Sequence, residues 1–186
     1  MPRLIIATHP RRSHPLQTVI DSVVPWRRIR LAPKGMPLFG GHFAVTRSAC
    51  AGLARIGADW AYATDLAEVE AEVVVVLAGV DVLRAAIAMK RSGRCARLFA
   101  GPNICEDPRQ HDAVLQAPEI DGVIVPGPAV GAFYVNVAPA LRGRTVVWAA
   151  GVDPEHWRPS ARARDTVLVY ANSCPRHVVA IARRLA

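Results

Sequence analysis

The chemistry open to this chain rests on a few polar residues placed directly after apolar runs. His9 follows Leu4-Ile5-Ile6-Ala7-Thr8, His42 follows Gly40-Gly41, and Asn103 ends Gly101-Pro102-Asn103 after Leu98-Phe99-Ala100. An imidazole can bind an acceptor hydroxyl or a phosphate, and a side-chain amide can hydrogen-bond a sugar hydroxyl. Two glycines ahead of a helix let the backbone approach a ligand closely, and the free N–H groups of the first turn favour an anion. Each feature also has a plain structural reading: a solvated loop histidine, a permissive turn, a polar loop amide. His111, His156 and His177 show no arrangement that suggests catalysis. The candidate substrate-binding residues are Gly40, Gly41, His42, His9 and Asn103, and no catalytic residue is assigned.

Several chemistries lack their residues. Neither G-x-G-x-x-G nor a P-loop is present, which argues against a dehydrogenase or an NTPase. No G-x-S-x-G elbow supports a hydrolase. Cys50, Cys95, Cys105 and Cys174 form no C-x-x-C pair and have no histidine at ligand spacing, so structural thiols in a reduced compartment are expected and no metal site is. The net charge of +8 comes from 23 Lys and Arg against 15 Asp and Glu, with Lys only at positions 34 and 90. That surplus favours nucleotide diphosphates, phospholipid headgroups or nucleic acid, although a coding bias towards Arg produces the same count. A nucleic-acid binder would also need aromatic residues interleaved with the basic ones, and that pattern is missing. No run approaches a membrane span or a signal-peptide core, so a cytoplasmic protein is expected, attached at most to a membrane surface.

The elements that must position these residues follow from periodicity. With 52% hydrophobic and 20% charged residues, the chain of 186 can bury a substantial core. Short strands are expected at Leu4–Thr8, Trp60–Ala63, Val73–Leu77, Arg97–Ala100, Gly122–Val125 and Thr145–Trp148. Helices are expected at Leu16–Val24, Phe43–Ile56, Val80–Lys90, Asp112–Leu115 and Ala129–Leu141. Trp26–Leu31 alternates as a half-exposed strand, or sits at headgroup level on a membrane. Strands alternating with helices predict an α/β domain: a doubly wound parallel sheet, Rossmann-like, covered on both faces. Val73–Leu77, Gly122–Val125 and Thr145–Trp148 should be parallel neighbours buried in it. Ligands of such sheets bind outside the carboxyl ends of the strands, where the candidate residues lie.

Three stretches carry a resemblance. Gly151-Val152-Asp153, then Trp157-Arg158-Pro159, resembles the interdomain signature G-V-D-x-x-x-F-x-P of GT-B glycosyltransferases, with Trp at the aromatic position. Gly40-Gly41 resembles the glycine loop before an early helix of their acceptor domain. Asp121-Gly122-Val123-Ile124 is similar to their A-D-x-V-I-x-x-S segment, with Gly127 where Ser is usual. The resemblance implies the N-terminal half of a GT-B enzyme: an acceptor-side domain over 1–151, a linker over 152–165, and the start of a donor-binding domain over 166–186. It implies a glycosyltransferase that moves a sugar from a nucleotide-sugar donor to an unknown acceptor, without a metal or other cofactor. The donor would be held by a second domain or a partner chain, so the 186 residues alone are expected to transfer no sugar. The other reading is a non-catalytic Rossmann-like module binding a nucleotide or an anionic partner.

Overall fold

The computed structural model describes residues 2–9, 41–149 and 151. The helix and strand expected at 16–24 and 26–31, Gly40, most of the Gly-Val-Asp signature, and the linker and stub expected beyond it lie outside the described residues. The sheet belongs to a compact unit spanning Met1–Val152.

Six strands form one sheet: β1 (Leu4–Thr8), β2 (Trp60–Ala63), β3 (Ala71–Ala78), β4 (Cys95–Asn103), β5 (Gly122–Val125) and β6 (Thr145–Val147), in the order β2-β1-β3-β4-β5-β6. Every pairing is parallel. Leu4 of β1 sets the register on both sides, opposite Trp60 and opposite Val73. Strand alternation sorts side chains onto two faces. Ile5, Ala7, Val74, Val76, Leu98, Ala100, Val123 and Val125 face one core cluster; Ile6 and Leu77 face the other.

Helices cover both faces. α1 (Gly41–Arg55) lays Cys50 against Ile6 and Leu77. α2 (Val80–Arg91) buries Val82, Leu83, Ala86, Ile87 and Met89, one stripe at helical spacing, against the larger cluster. α3 (Pro128–Val137) packs on that same side through Gly131 and Tyr134, whose hydroxyl donates to the Cys105 carbonyl at 2.6 Å. Each fully buried Leu or Val of these stripes stabilises the fold by roughly 1.5–3 kcal/mol. The fold is an α/β, all-parallel, Rossmann-like doubly wound sheet.

Four details differ from expectation. First, the helix expected over Asp112–Leu115 is broken into a short helical turn over Gln110–Ala113 and a 3-10 turn after it. His111, Asp112 and Ala113 adopt left-handed backbone (φ 54, 60 and 55), and a 3-10 turn over Val114–Gln116 buries Val114 and Leu115. Second, the last helix ends at Val137, not Leu141. Pro139 has no N–H to donate, and a 3-10 turn over Pro139–Leu141 buries Leu141. Third, β4 lies between β3 and β5, so Val73–Leu77 and Gly122–Val125 are parallel but not adjacent. Fourth, β6 is the edge strand of the sheet among the described residues, with Val146 43% and Val147 51% exposed. A β-branched run looks the same on an edge as in the middle of a sheet.

Two arginines fasten the connections. The Arg94 guanidinium donates to the carbonyls of Leu66, Ala67 and Val69 (3.2, 2.6 and 3.2 Å), holding the segment that joins β2 to β3. Arg144 donates to those of Gln116, Ala117 and Ile120 (3.4, 2.6 and 3.1 Å), holding the turn before β5.

Candidate functional site

In this strand order the chain turns one way from β1, to β2, and the other way from β3, to β4. The gap between the carboxyl ends of β1 and β3 is therefore the switch point of the sheet, where the outgoing connections part and leave a crevice. His9 stands there. Its N–H donates to the Ala78 carbonyl at 3.2 Å, just past the shift in register at Thr8.

The His9 side chain rests on Gly79, which joins β3 to α2. Gly79 has φ +98, and a Cβ built on it would lie 2.8 Å from the His9 Cβ. Glycine is needed here twice, for the backbone angle and for the approach. From above, α1 brings His42 and Phe43. The ring centroids of His9 and His42 are 4.8 Å apart, those of His9 and Phe43 5.3 Å, and those of His42 and Phe43 4.0 Å. Thr46 closes the first turn of α1 by donating to the His42 carbonyl at 2.9 Å. Beside His9, the buried Thr8 hydroxyl shares a hydrogen bond of 2.7 Å with Tyr62 of β2, and burial pushes the Tyr62 phenol up from its ordinary pKa.

The electrostatics of His42 follow from this packing. Burial among rings, and then the positive charge of His9, hold its pKa below the ordinary 6.5. Its Nε2 is buried and has no hydrogen-bond partner among the described residues. A neutral imidazole with an unpartnered nitrogen is suited to exchange a hydrogen bond with a hydroxyl. Unpaired polar atoms of this kind are uncommon in folded proteins because desolvation costs about 1–3 kcal/mol.

The five sequence candidates fare differently. His9 and His42 meet in direct ring contact. Gly41 opens α1, one residue ahead of His42. Asn103 ends β4, exposed, opposite Ala78 in the parallel register, and so shares the same edge of the sheet. No hydrogen bond or ring contact among the described residues links it to the histidine pair. Gly40 lies outside the described residues. Phe43, Gly79 and Tyr62, the partner of Thr8, complete the site and were not singled out from the sequence. Gly79 had a legible signal, a strand–Gly–helix junction; the ring contacts had none. At the end of β4, Gly101 has φ +113, and a Cβ there would collide with the Ile124 carbonyl of β5.

A cleft of about 470 Å³ runs along Ile5, Ala61, Tyr62, Ala63 and Val69, with Glu68 and Glu70 on it. Among the described residues no group of three or more His, Cys, Asp or Glu is placed to hold a metal ion. Among them, too, no helix is long and apolar enough to cross a membrane. Compared with known proteins, the chain matches no family model, no curated protein and no solved structure.

Proposed function

We propose that this chain is the acceptor-side domain of a GT-B glycosyltransferase, acting on a nucleotide-sugar donor in the cytoplasm. One observation supports this most: the buried, unpartnered Nε2 of His42, beside His9, at the switch point of an all-parallel sheet. In this reading His42, uncharged at neutral pH, takes the hydrogen bond of an acceptor hydroxyl. Asn103 adds a polar contact from the end of β4, and Gly41 leaves room for close approach. The donor's diphosphate gathers negative charge as the sugar leaves, and cations from the donor-binding side must stabilise it. In this reading the donor-binding part belongs to a second domain or a partner chain.

The test is nitrogen–proton NMR of the imidazoles of His9 and His42. The chain is titrated with simple glycosides, with UDP-glucose and GDP-mannose, and with the free nucleotides. Shifts at His42 with a glycoside are expected, and the accompanying shifts at His9, its ring neighbour, should shrink in His42→Gln. Shifts with free nucleotides alone would assign the chain to a non-catalytic nucleotide-binding module and end the glycosyltransferase reading.

A further inference from the structure

The sheet loosens where His9 begins. On the β2 side the ladder of β1 ends at Ala7, opposite Ala63. On the β3 side the register shifts between Ala7 and Thr8 before Thr8 meets Ala78. Regular strand pairing therefore does not fix the residue that follows. A side-chain connection takes its place. Tyr62 lies opposite Ile6 and shares its face of the sheet, the face that α1 covers. Thr8, two residues beyond Ile6, falls on that face too. Thr8 is 0% exposed, so its hydroxyl must find partners inside the fold. It has two: the Tyr62 hydroxyl at 2.7 Å and the His9 carbonyl at 3.5 Å. A hydroxyl has one proton to donate, and a carbonyl can only accept. The Thr8 proton therefore goes to the His9 carbonyl, and the Tyr62 hydroxyl donates to Thr8.

We propose that Tyr62 is a positioning residue, which acts through the Thr8 hydroxyl to fix the chain after β1 and so hold the His9 ring against His42. Both main-chain groups of His9 are then tied. Its N–H is bound to the Ala78 carbonyl of β3 at 3.2 Å, and its carbonyl is bound through Thr8 to Tyr62 of β2. With the backbone held at both ends, the ring lies over Gly79, where a Cβ would intrude, and meets His42 at 4.8 Å. Phenylalanine would fill the space of Tyr62 equally well, so packing does not account for the hydroxyl; the tether does. Burial raises the pKa of the phenol above its ordinary 10.0, which keeps the donated proton in place across the neutral range. Tyr62 thereby serves the acceptor site proposed above, a role that rests on that reading, while the tether itself needs no ligand.

Proton NMR of the ligand-free whole chain tests this, with Tyr62→Phe, Thr8→Val and Thr8→Ser. Ring-to-ring nuclear Overhauser contacts between His9 and His42 are expected in the wild type. They should weaken several-fold in Tyr62→Phe and in Thr8→Val, and persist in Thr8→Ser, which keeps the hydroxyl. The titration of His42 gives a readout that packing alone would not move. Burial and the charge of His9 both hold its pKa below 6.5, so release of His9 in Tyr62→Phe should raise the midpoint towards 6.5. Contacts and titration that stay unchanged in Tyr62→Phe, whatever its melting temperature, would overturn the proposal. Equal losses in Thr8→Ser and Thr8→Val would also overturn it, because the hydroxyl would then not be the cause. The expected losses in a chain whose histidines ignore glycosides would uphold the tether and remove the acceptor reading instead.

Discussion

At the scale of single residues, His42 is the side chain whose surroundings predict the most. Its pKa is depressed in the folded chain by burial and by His9, and the unfolded value is the ordinary 6.5. Between those two values the unfolded state binds the proton and the folded state does not, so stability rises with pH there. Acidification from pH 7 should therefore begin to destabilise the protein below about 6.5. The carboxylates with depressed pKa values, such as Asp107 and Glu72, respond at lower pH, below their ordinary 3.8 and 4.5. We expect the melting temperature of the wild type to fall between pH 6.5 and 5, and the fall to be shallower in His42→Gln. Parallel melting curves for the two proteins would disprove the linkage. His9 and His42 were both visible as candidates because each followed an apolar run. Their contact was not, because nothing local ties the end of a strand to the start of a helix more than thirty positions later.

At the scale of elements, the connections are held by arginine as much as by apolar packing. Arg144 reaches three main-chain carbonyls from one guanidinium, in a partly buried setting. Removing it leaves those acceptors short of a donor, and hydrogen bonds to a charged group are worth about 1.5–3 kcal/mol each before relaxation. Arg144→Ala should lower the urea midpoint by an amount equivalent to about 2 kcal/mol. Arg144→Lys should recover little of that, since a single ammonium cannot span the fork. Arg3 is the contrast. It pairs with Glu72 at 2.8 Å, but the side chains are 76% and 53% exposed, so Arg3→Ala should leave the midpoint unchanged. Equal losses for Arg3→Ala and Arg144→Ala would contradict the distinction. From sequence, the arginine surplus pointed outward to anionic partners; several arginines are in fact occupied within the fold. Composition counts charges but does not reveal which carbonyls lie within reach.

At the scale of the whole molecule, the sheet is graded from a sealed centre to an open edge. Val74, Val76, Leu98 and Ala100 are 0% exposed, whereas β6 is paired on one side and half open. Hydrogen exchange should reflect that gradient: amides of β3 and β4 exchange only through global unfolding, and those of β6 through local opening. Slow exchange at Val146 and Val147, as slow as at Val74, would show that the edge is closed in solution.

The sequence by itself determined the period-two and period-3.6 segments, and with them the alternating strands and helices that make a parallel α/β sheet. Residues four to eight and 73 to 77 announce buried strands because each holds its own apolar pattern, and that pattern is a local property. Only the tertiary structure decided the rest. It inserted β4 between β3 and β5, left β6 on the edge, turned the segment between Pro108 and Pro118 left-handed, and brought His9, His42, Phe43 and Gly79 to one point. These depend on which surfaces pack together across the chain, and short-range periodicity contains no record of that. The histidine pair exists because β1 lies beside β3, with Gly79 leaving space for a ring at their junction.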